Sequence, residues 1–236
     1  MKRQIRTCLK KIADKTLVPS VRYLKFHGQL GHDNVQLVSH NRAIADSADY
    51  AEKHMPAALM FAHRVLLWDY AWSKVTLNGL MTEFGVFKGA SINHFAKKTP
   101  AMLYGFDSFE GLQEDWRGHN LPKGFFNLGG QLPKVEKNVT LIKGWFDKTL
   151  PPFLASHPEP LAFLHIDSDT YEAAKYLLTE LELRIVKGTV ILFDEYFGYR
   201  GWRIGEWQAW QEFLARTGTK YRYLGFADEQ VAVVIE

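Results

Sequence analysis

The chain has 236 residues, of which 47% are hydrophobic and 23% charged, and its formal net charge is +3 at pH 7. A chain of this length and composition can bury one sizeable core, and so small a net charge gives no argument for binding nucleic acid. The single cysteine, Cys8, excludes an internal disulfide and favours a reducing compartment, which we expect to be the cytoplasm. No apolar run approaches the roughly 18 residues that span a bilayer, and the first residues lack the apolar stretch of a secretory signal.

Residues 1–79 differ in pattern from the rest of the chain, and we expect a helical N-terminal extension there. Basic residues within 2–15 alternate with apolar ones at roughly helical spacing, and Pro19 closes or interrupts that helix. A second helical pattern, from Ile44 to Trp72, is broken near Pro56. The basic face is interpreted as a solvated helix surface, although it also suits contact with an anionic surface such as a membrane. The extension is expected to pack on the core or on a second subunit, which predicts a homodimer.

From Leu80 onward, strand-like and helix-like segments alternate, which predicts a second domain over residues 80–236. Alternating βα units produce a mostly parallel sheet covered on both faces. Only a three-residue turn, 227–229, separates the last two strands, so one of them must run antiparallel to the other. We therefore expect an α/β fold with a seven-stranded, mostly parallel sheet and an antiparallel terminal strand. The predicted strands are 80–84, 102–106, 139–143, 161–166, 189–193, 220–226 and 230–235, and the predicted helices are 89–98, 147–155, 171–184 and 203–217.

One long loop, residues 110–131, interrupts this alternation. It combines several glycines with aromatic residues, among them Trp116, Phe125 and Phe126. Loops of this length inside a compact domain are usually functional, and the aromatic residues argue against disorder. We expect the loop to act as a lid over a site, with His119 within reach of a substrate.

A glycine turn follows the first strand of the predicted second domain. Glu83, Gly85 and Gly89 form an E-x-G-x-x-x-G pattern there, which lacks the third glycine of a dinucleotide fingerprint. Asp107 ends the next strand, 22 residues after Gly85. That is about the distance at which an acidic residue binds ribose hydroxyls. The layout predicts a ribose-bearing cofactor, held where glycines let the backbone come close.

Acidic residues also end two later strands. Asp167 follows one of them, and Asp194 and Glu195 follow the next. Because the carboxyl ends of parallel strands lie on one edge of a sheet, we expect these carboxylates to share a crevice with Asp107. Converging carboxylates are costly unless a cation neutralises them, and oxygen ligands suit Mg²⁺, Mn²⁺ or Ca²⁺.

Other residues near this edge have structural interpretations. Asp169 begins an Asp-Thr-Tyr-Glu sequence that fits a capping box for the following helix. His165 lies within an apolar strand and is interpreted as a satisfied core histidine. The aromatic residues that follow the acidic pair are expected to form an apolar wall of a substrate pocket; they are Tyr196, Phe197, Tyr199 and Trp202.

Together these segments resemble the class I S-adenosylmethionine-dependent methyltransferases, and more closely the macrocin O-methyltransferase group (TylF/MycF type). The resemblance covers about residues 80–236 and implies a Rossmann-like fold. The matching segments are 83–89, 104–112, 141–151, 165–172 and 193–196.

The resemblance implies a set of cofactor-binding residues. Gly85 and Gly89 would approach the methionine part of S-adenosylmethionine, Asp107 would bind the ribose, and Gly144 and Trp145 would lie near the adenine. The remaining residues that we expect to bind this cofactor are Glu83, Ser91 and Ser108.

The resemblance also implies a magnesium ion held by Asp167, Asp194 and Glu195. Glu195 is a departure, because the family more often has a second aspartate there. A metal that binds the acceptor hydroxyl lowers its pKa and fixes its orientation, and a nearby base takes the proton. Asp167 and His119 are the catalytic candidates, with His119 as the base.

The sequence therefore predicts an O-methyltransferase, assisted by a metal, that acts on a hydroxyl of a small molecule such as a sugar or glycosylated metabolite. One alternative is an NAD-type oxidoreductase, which explains the glycine turn and Asp107 but neither the missing third glycine nor the acidic crevice. Another is a non-catalytic nucleotide-binding protein whose basic N-terminus docks on a partner.

Overall fold

The structure, a computed structural model, describes residues 35–116 and 118–236. Its centre is one eight-stranded sheet. The strands are, in chain order, β1 Leu59–Met60, β2 Leu80–Phe84, β3 Leu103–Asp107, β4 Val139–Lys143, β5 Leu161–Ile166, β6 Val190–Phe193, β7 Tyr221–Ala227 and β8 Gln230–Ile235. They lie side by side in the order β1-β7-β8-β6-β5-β2-β3-β4. All neighbouring pairs are parallel except the two that β8 makes with β6 and β7.

The predicted α/β fold is confirmed. Each of the seven predicted strands is present with bounds within one residue of the prediction, and β8 is the antiparallel terminal strand. The prediction of seven strands is one short, because β1 adds a two-residue edge strand that pairs with β7. Two residues are too few for an alternating pattern, so the sequence held no periodic signal for β1.

Helices cover both faces of the sheet. In the described residues the α-helices are α1 Val35–His54, α2 Arg64–Trp72, α3 Ala90–Ala96, α4 Phe146–Ser156, α5 Tyr171–Glu180 and α6 Glu206–Thr217. Two of the predicted helices are shorter than expected because one end of each is a 3₁₀ turn, at Glu182–Arg184 and at Trp202–Ile204. The predicted break near Pro56 is present, since α1 and α2 are separated by residues 55–63.

The described part of the N-terminal region packs on the sheet. Tyr50 of α1 lies with its hydroxyl oxygen 2.8 Å from that of Tyr223 on β7. On α2, Leu67 and Ala71 are fully buried, and this helix packs against β6, β7 and β8. The basic face of residues 2–15 and the predicted helix end at Pro19 lie outside the described residues. The division of the chain at residue 79 and the homodimer therefore stay predictions.

The core occupies both faces of the sheet, and β5 shows how the sequence produces it. Leu164 and Ile166 of this strand join the apolar cluster on one face, and Phe163 joins the cluster on the other. Every residue of β5 is buried, as expected for a central parallel strand with helices on both sides. No helix in residues 35–116 or 118–236 combines the length and apolar character needed to cross a membrane.

Leu164→Ala tests this arrangement of the core. The Leu164 side chain is fully buried, so its truncation should leave a cavity and lower the free energy of unfolding by about 2–5 kcal/mol in chemical denaturation. The matched control is Leu183→Ala, because Leu183 is 89% exposed and should change that free energy by less than about 0.5 kcal/mol. Equal losses in the two variants would contradict the burial of β5.

Candidate functional site

A cavity of about 890 Å³ opens at the carboxyl edge of the parallel strands. Its lining comes from the turn after β2, the ends of β3, β5 and β6, the loop 111–126 and the turn between β7 and β8. This is the edge at which open α/β sheets bind ligands, and the volume is within the usual range for small-molecule sites. The cavity is therefore the candidate active site.

The turn after β2 requires glycine at Gly85. Its φ of +97° lies in the left-handed region, and a Cβ there would collide with the backbone carbonyl of Asp167. The close approach brings the end of β2 against the end of β5. The backbone at Gly85 and the Asp167 carboxylate consequently border the same cavity.

Asp107 holds this turn in place from the end of β3. Its Oδ2 accepts the backbone N–H groups of Val86 and Phe87 at 2.9 and 2.7 Å, and its Oδ1 accepts that of Phe109 at 2.7 Å. A carboxylate offers about four lone-pair sites, so one remains for a ligand. Asp107 lines the cavity, so a ligand bound there can donate a hydrogen bond to the remaining lone-pair site.

The predicted cofactor-binding residues divide into two groups in the structure. The members that line the cavity are Gly85, Ser91, Asp107, Ser108 and Trp145. The members that stand behind the lining are Glu83, Gly89 and Gly144. Glu83 shows what this second group does, because its buried carboxylate accepts a hydrogen bond from Ser91 Oγ at 3.0 Å.

His165 is fully buried between two carboxylates. Its Nδ1 lies 2.9 Å from Glu83 Oε2, and its Nε2 lies 3.5 Å from Asp194 Oδ1. Burial by itself would lower the pKa of His165, but the carboxylates of Asp194 and Glu83 outweigh it and raise the pKa well above the usual value. His165 thus lies in the core, as interpreted from the sequence, but only its Nδ1 has a hydrogen-bond partner, and its Nε2 has none.

The predicted metal ligands fall into two adjacent groups that share Asp167. In one group, His165, Asp167 and Asp194 each offer a donor atom, and these atoms lie within 4.8 Å of one another. In the other group, the donor atoms of Asp167, Asp169 and Glu195 also lie within 4.8 Å of one another. Asp194 and Glu195, neighbours in sequence, therefore contribute to different groups.

Asp169 belongs to this cluster, and its interpretation as the helix cap was wrong. The N-cap of α5 is Thr170, whose side chain accepts from the N–H of Ala173. Asp169 has a φ of +64°, a left-handed conformation that an aspartate tolerates. The Asp-Thr-Tyr-Glu sequence contains two residues that can cap, and the helix begins one residue later than assumed.

The carboxylates of the crevice affect one another's ionisation. Burial, and then the charge of Asp194, raises the pKa of Asp169 to about 8 and that of Asp167 well above its usual value. The pKa of Glu195 is likewise raised well above the usual value, first by burial. Asp194 is the exception, because its hydrogen bond and charge interaction with His165 outweigh burial and lower its pKa.

Glu206 is a further buried acid that sequence reasoning missed. It begins α6, is fully buried, and accepts the backbone N–H groups of Ser168 and Glu195 at 3.3 and 3.2 Å. Burial raises its pKa to about 8. The available signal was an acid placed directly after Gly205, in the first turn of a predicted helix.

One carboxylate oxygen in the cluster is unsatisfied. Glu195 is 6% exposed, and its Oε2 has no hydrogen-bond partner. A buried polar atom without a partner is costly, and a cation beside it removes the cost. The surrounding donors are mainly carboxylate oxygens, which suit Mg²⁺ or Mn²⁺. The residues present therefore fit a divalent cation.

The loop 110–131, apart from residue 117, folds over the cavity and is anchored on its far side. His119 Nε2 lies 3.0 Å from Glu229 Oε2 in the turn between β7 and β8, and the His119 ring packs in a tilted orientation on Trp116 with 4.0 Å between the ring centroids. Trp116 also pairs with Leu121 through two backbone hydrogen bonds. His119 lines the cavity, but its Nε2 is paired with Glu229 in this structure.

The prediction of an aromatic wall after the acidic pair was wrong. Tyr196, Phe197, Tyr199 and Trp202 are each at most 4% exposed and are absent from the lining of the cavity. They pack in the core beneath it, where the Tyr196 hydroxyl lies 2.7 Å from that of Tyr223. Aromatic rings do line the cavity, but they come from elsewhere: Trp68, Phe87, Trp116, Phe126, Trp145, Phe146 and Tyr176.

Comparison with known families assigns this region. Residues 82–196, which include the glycine turn and most of the acidic cluster, match the family described as "Methyltransferase domain". The prediction of an S-adenosylmethionine-dependent methyltransferase is thereby confirmed for the enzyme class, whereas the TylF/MycF type is not. No curated protein sequence matches the chain.

Solved structures of methyltransferases share the fold. CalS11, described as a calicheamicin methyltransferase, is 21% identical with a TM-score of 0.59, over 86% of this chain and 94% of its own. The O-methyltransferase NovP is 20% identical with a TM-score of 0.55, over 72% of this chain and 78% of its own. At these identities the likeness concerns the fold, which is the Rossmann-like class I methyltransferase fold.

Gly85→Ala tests the close approach at the glycine turn. The new Cβ must push β2 away from Asp167, so we expect S-adenosylhomocysteine affinity in calorimetry to fall at least about tenfold, or 1.4 kcal/mol. Gly218→Ala is the matched control, since Gly218 also has a positive φ, +68°, but has no atom within 4 Å of its Cβ position. That control should lose some stability and keep its affinity. Unchanged affinity in Gly85→Ala would show that the turn does not border the cofactor.

Proposed function

We propose that this protein is an O-methyltransferase that methylates a hydroxyl of a small acceptor such as a sugar or glycosylated metabolite. The observation that carries the proposal is that the glycine turn with Asp107 and the buried acidic cluster open into the same cavity. Similar structures support it, because they include a TDP-rhamnose 3'-O-methyltransferase, CalS11, and the O-methyltransferase NovP. The methyltransferase domain favours this reaction over both the oxidoreductase and the non-catalytic alternative.

The cofactor half of the site is proposed to run from the glycine turn to Trp145. S-adenosylmethionine supplies a methyl group that is already activated for transfer. Asp107 has one free lone-pair site, with which it would accept a ribose hydroxyl, and the Trp145 ring would pack on the adenine. These residues fix the cofactor's orientation, and orientation is the main requirement for in-line transfer.

The acceptor half is proposed to contain the metal site. Asp167, Asp194 and Glu195 would hold a divalent cation, and Asp169 lies close enough to share in it. A bound cation would lower the pKa of the acceptor hydroxyl and hold it in place. The unsatisfied Oε2 of Glu195 supports this assignment more directly than the number of acids does.

Asp167 and His119 remain the candidates for taking the proton. Asp167 lies where the two groups of acids meet and borders the cavity, which places it beside the proposed acceptor hydroxyl. His119 borders the cavity from the lid, but it would first have to release Glu229. The geometry therefore favours Asp167 as the base and gives His119 a role in closing the site.

Calorimetry with S-adenosylhomocysteine and with NAD, each with and without Mg²⁺, tests the proposal. We expect the protein to bind S-adenosylhomocysteine and not NAD. Asp107→Ala should weaken S-adenosylhomocysteine binding at least about tenfold, because it removes both the ribose contact and two hydrogen bonds of the glycine turn. Asp49→Ala, a change at an exposed site on α1, is the control and should bind like the unmodified protein. Tight binding of NAD with none of S-adenosylhomocysteine would refute the proposal.

A further inference from the structure

The carboxylate of Asp194 is contacted by side chains that lie outside residues 82–196, the stretch that matches the methyltransferase family. Gln230, the first residue of β8, donates its side-chain N–H to Asp194 Oδ1. Trp68 of α2 donates its indole N–H to Gln230 Oε1 at 2.7 Å. Trp68 and Gln230 are 5% and 2% exposed, and both border the cavity. Two hydrogen bonds thus connect α2 to the acidic cluster.

This connection has a fixed direction. An indole nitrogen can only donate, so the oxygen of the Gln230 amide must face Trp68. The amide nitrogen then has to face Asp194, and it can only donate there. Asp194 Oδ1 is therefore required to be an acceptor on this side, and it also lies 3.5 Å from His165 Nε2.

The Trp68 ring is itself held firmly. It makes edge contacts with His94 and Phe95 of α3 at centroid distances of 5.4 and 5.7 Å, and with His165 at 6.5 Å. The neighbouring α2 residue Leu67 is fully buried. This packing fixes the direction of the Trp68 indole N–H. The Gln230 amide that accepts from it is therefore held in one orientation.

We propose that Trp68 and Gln230 are positioning residues that set the orientation of the Asp194 carboxylate at the acceptor side of the cavity. The proposal rests on the proposed function, which places Asp194 among the ligands of the metal site. Partners behind a metal-binding carboxylate typically contribute about 10–100-fold to metal affinity.

A double-mutant cycle tests the proposal with Mg²⁺ as the titrated ligand in calorimetry. Gln230→Leu and Trp68→Phe should each weaken Mg²⁺ binding about tenfold, and the double variant should be no weaker than the worse single one, since both act through one connection. S-adenosylhomocysteine affinity should stay within about twofold in all three, which a general loss of structure would not allow. Additive losses, or unchanged Mg²⁺ affinity in folded Gln230→Leu, would overturn the proposal.

A nuclear magnetic resonance measurement decides the question without metal or activity. The indole N–H signal of Trp68, assigned by its loss in Trp68→Phe, should shift when Asp194 is changed in Asp194→Asn. In a Gln230→Leu background the same change should leave that signal in place. If the Trp68 signal did not shift in Asp194→Asn while Gln230 was present, the connection would be contradicted. If the unmodified protein bound no Mg²⁺, the metal part of the proposed function would fail, and this readout would still test the positioning role.

Discussion

The burial of several carboxylates at one edge of the sheet is the constraint on which this structure depends. Ionised carboxylates in a crevice are costly unless something compensates each of them. The chain compensates Asp194 with His165 and Gln230, and Glu206 with two backbone N–H groups. Glu195 Oε2 has no such compensation. The acidic cluster therefore needs a bound cation or bound protons to compensate Glu195. Such a need is expected of a binding site and not of a hydrophobic core.

The glycine turn brings the second half of the site to this cluster. Gly85 allows β2 to touch the end of β5, and Asp107 fixes the turn through two backbone hydrogen bonds. Because β2 and β5 are adjacent parallel strands, their carboxyl ends lie side by side and border the same cavity. A cofactor on the turn and an acceptor beside the acids are then within reach of each other, as methyl transfer requires.

The sequence predicted this architecture well because its signals are local. Each strand from β2 to β8 has its own apolar pattern, and the acids at strand ends share an edge in any parallel sheet. The errors arose where contacts join distant parts of the chain. Apart from the cap of α5, which was misplaced by one residue at Asp169, the examples are the rings of Tyr196 and Trp202, which pack in the core, and the link from Trp68 to Gln230, which spans 162 residues. No local periodicity encodes such contacts.

The central claim is that the methyl group to be transferred and the acidic cluster face the same cavity. The most direct test uses S-adenosylmethionine labelled with ¹³C in its methyl group, bound to the protein, and measures the broadening of the methyl resonance on addition of Mn²⁺. We expect strong broadening that is lost in Asp167→Asn, because the paramagnetic ion would lie beside the methyl group. A sharp methyl resonance at saturating Mn²⁺, with cofactor and metal both shown to be bound, would contradict the account.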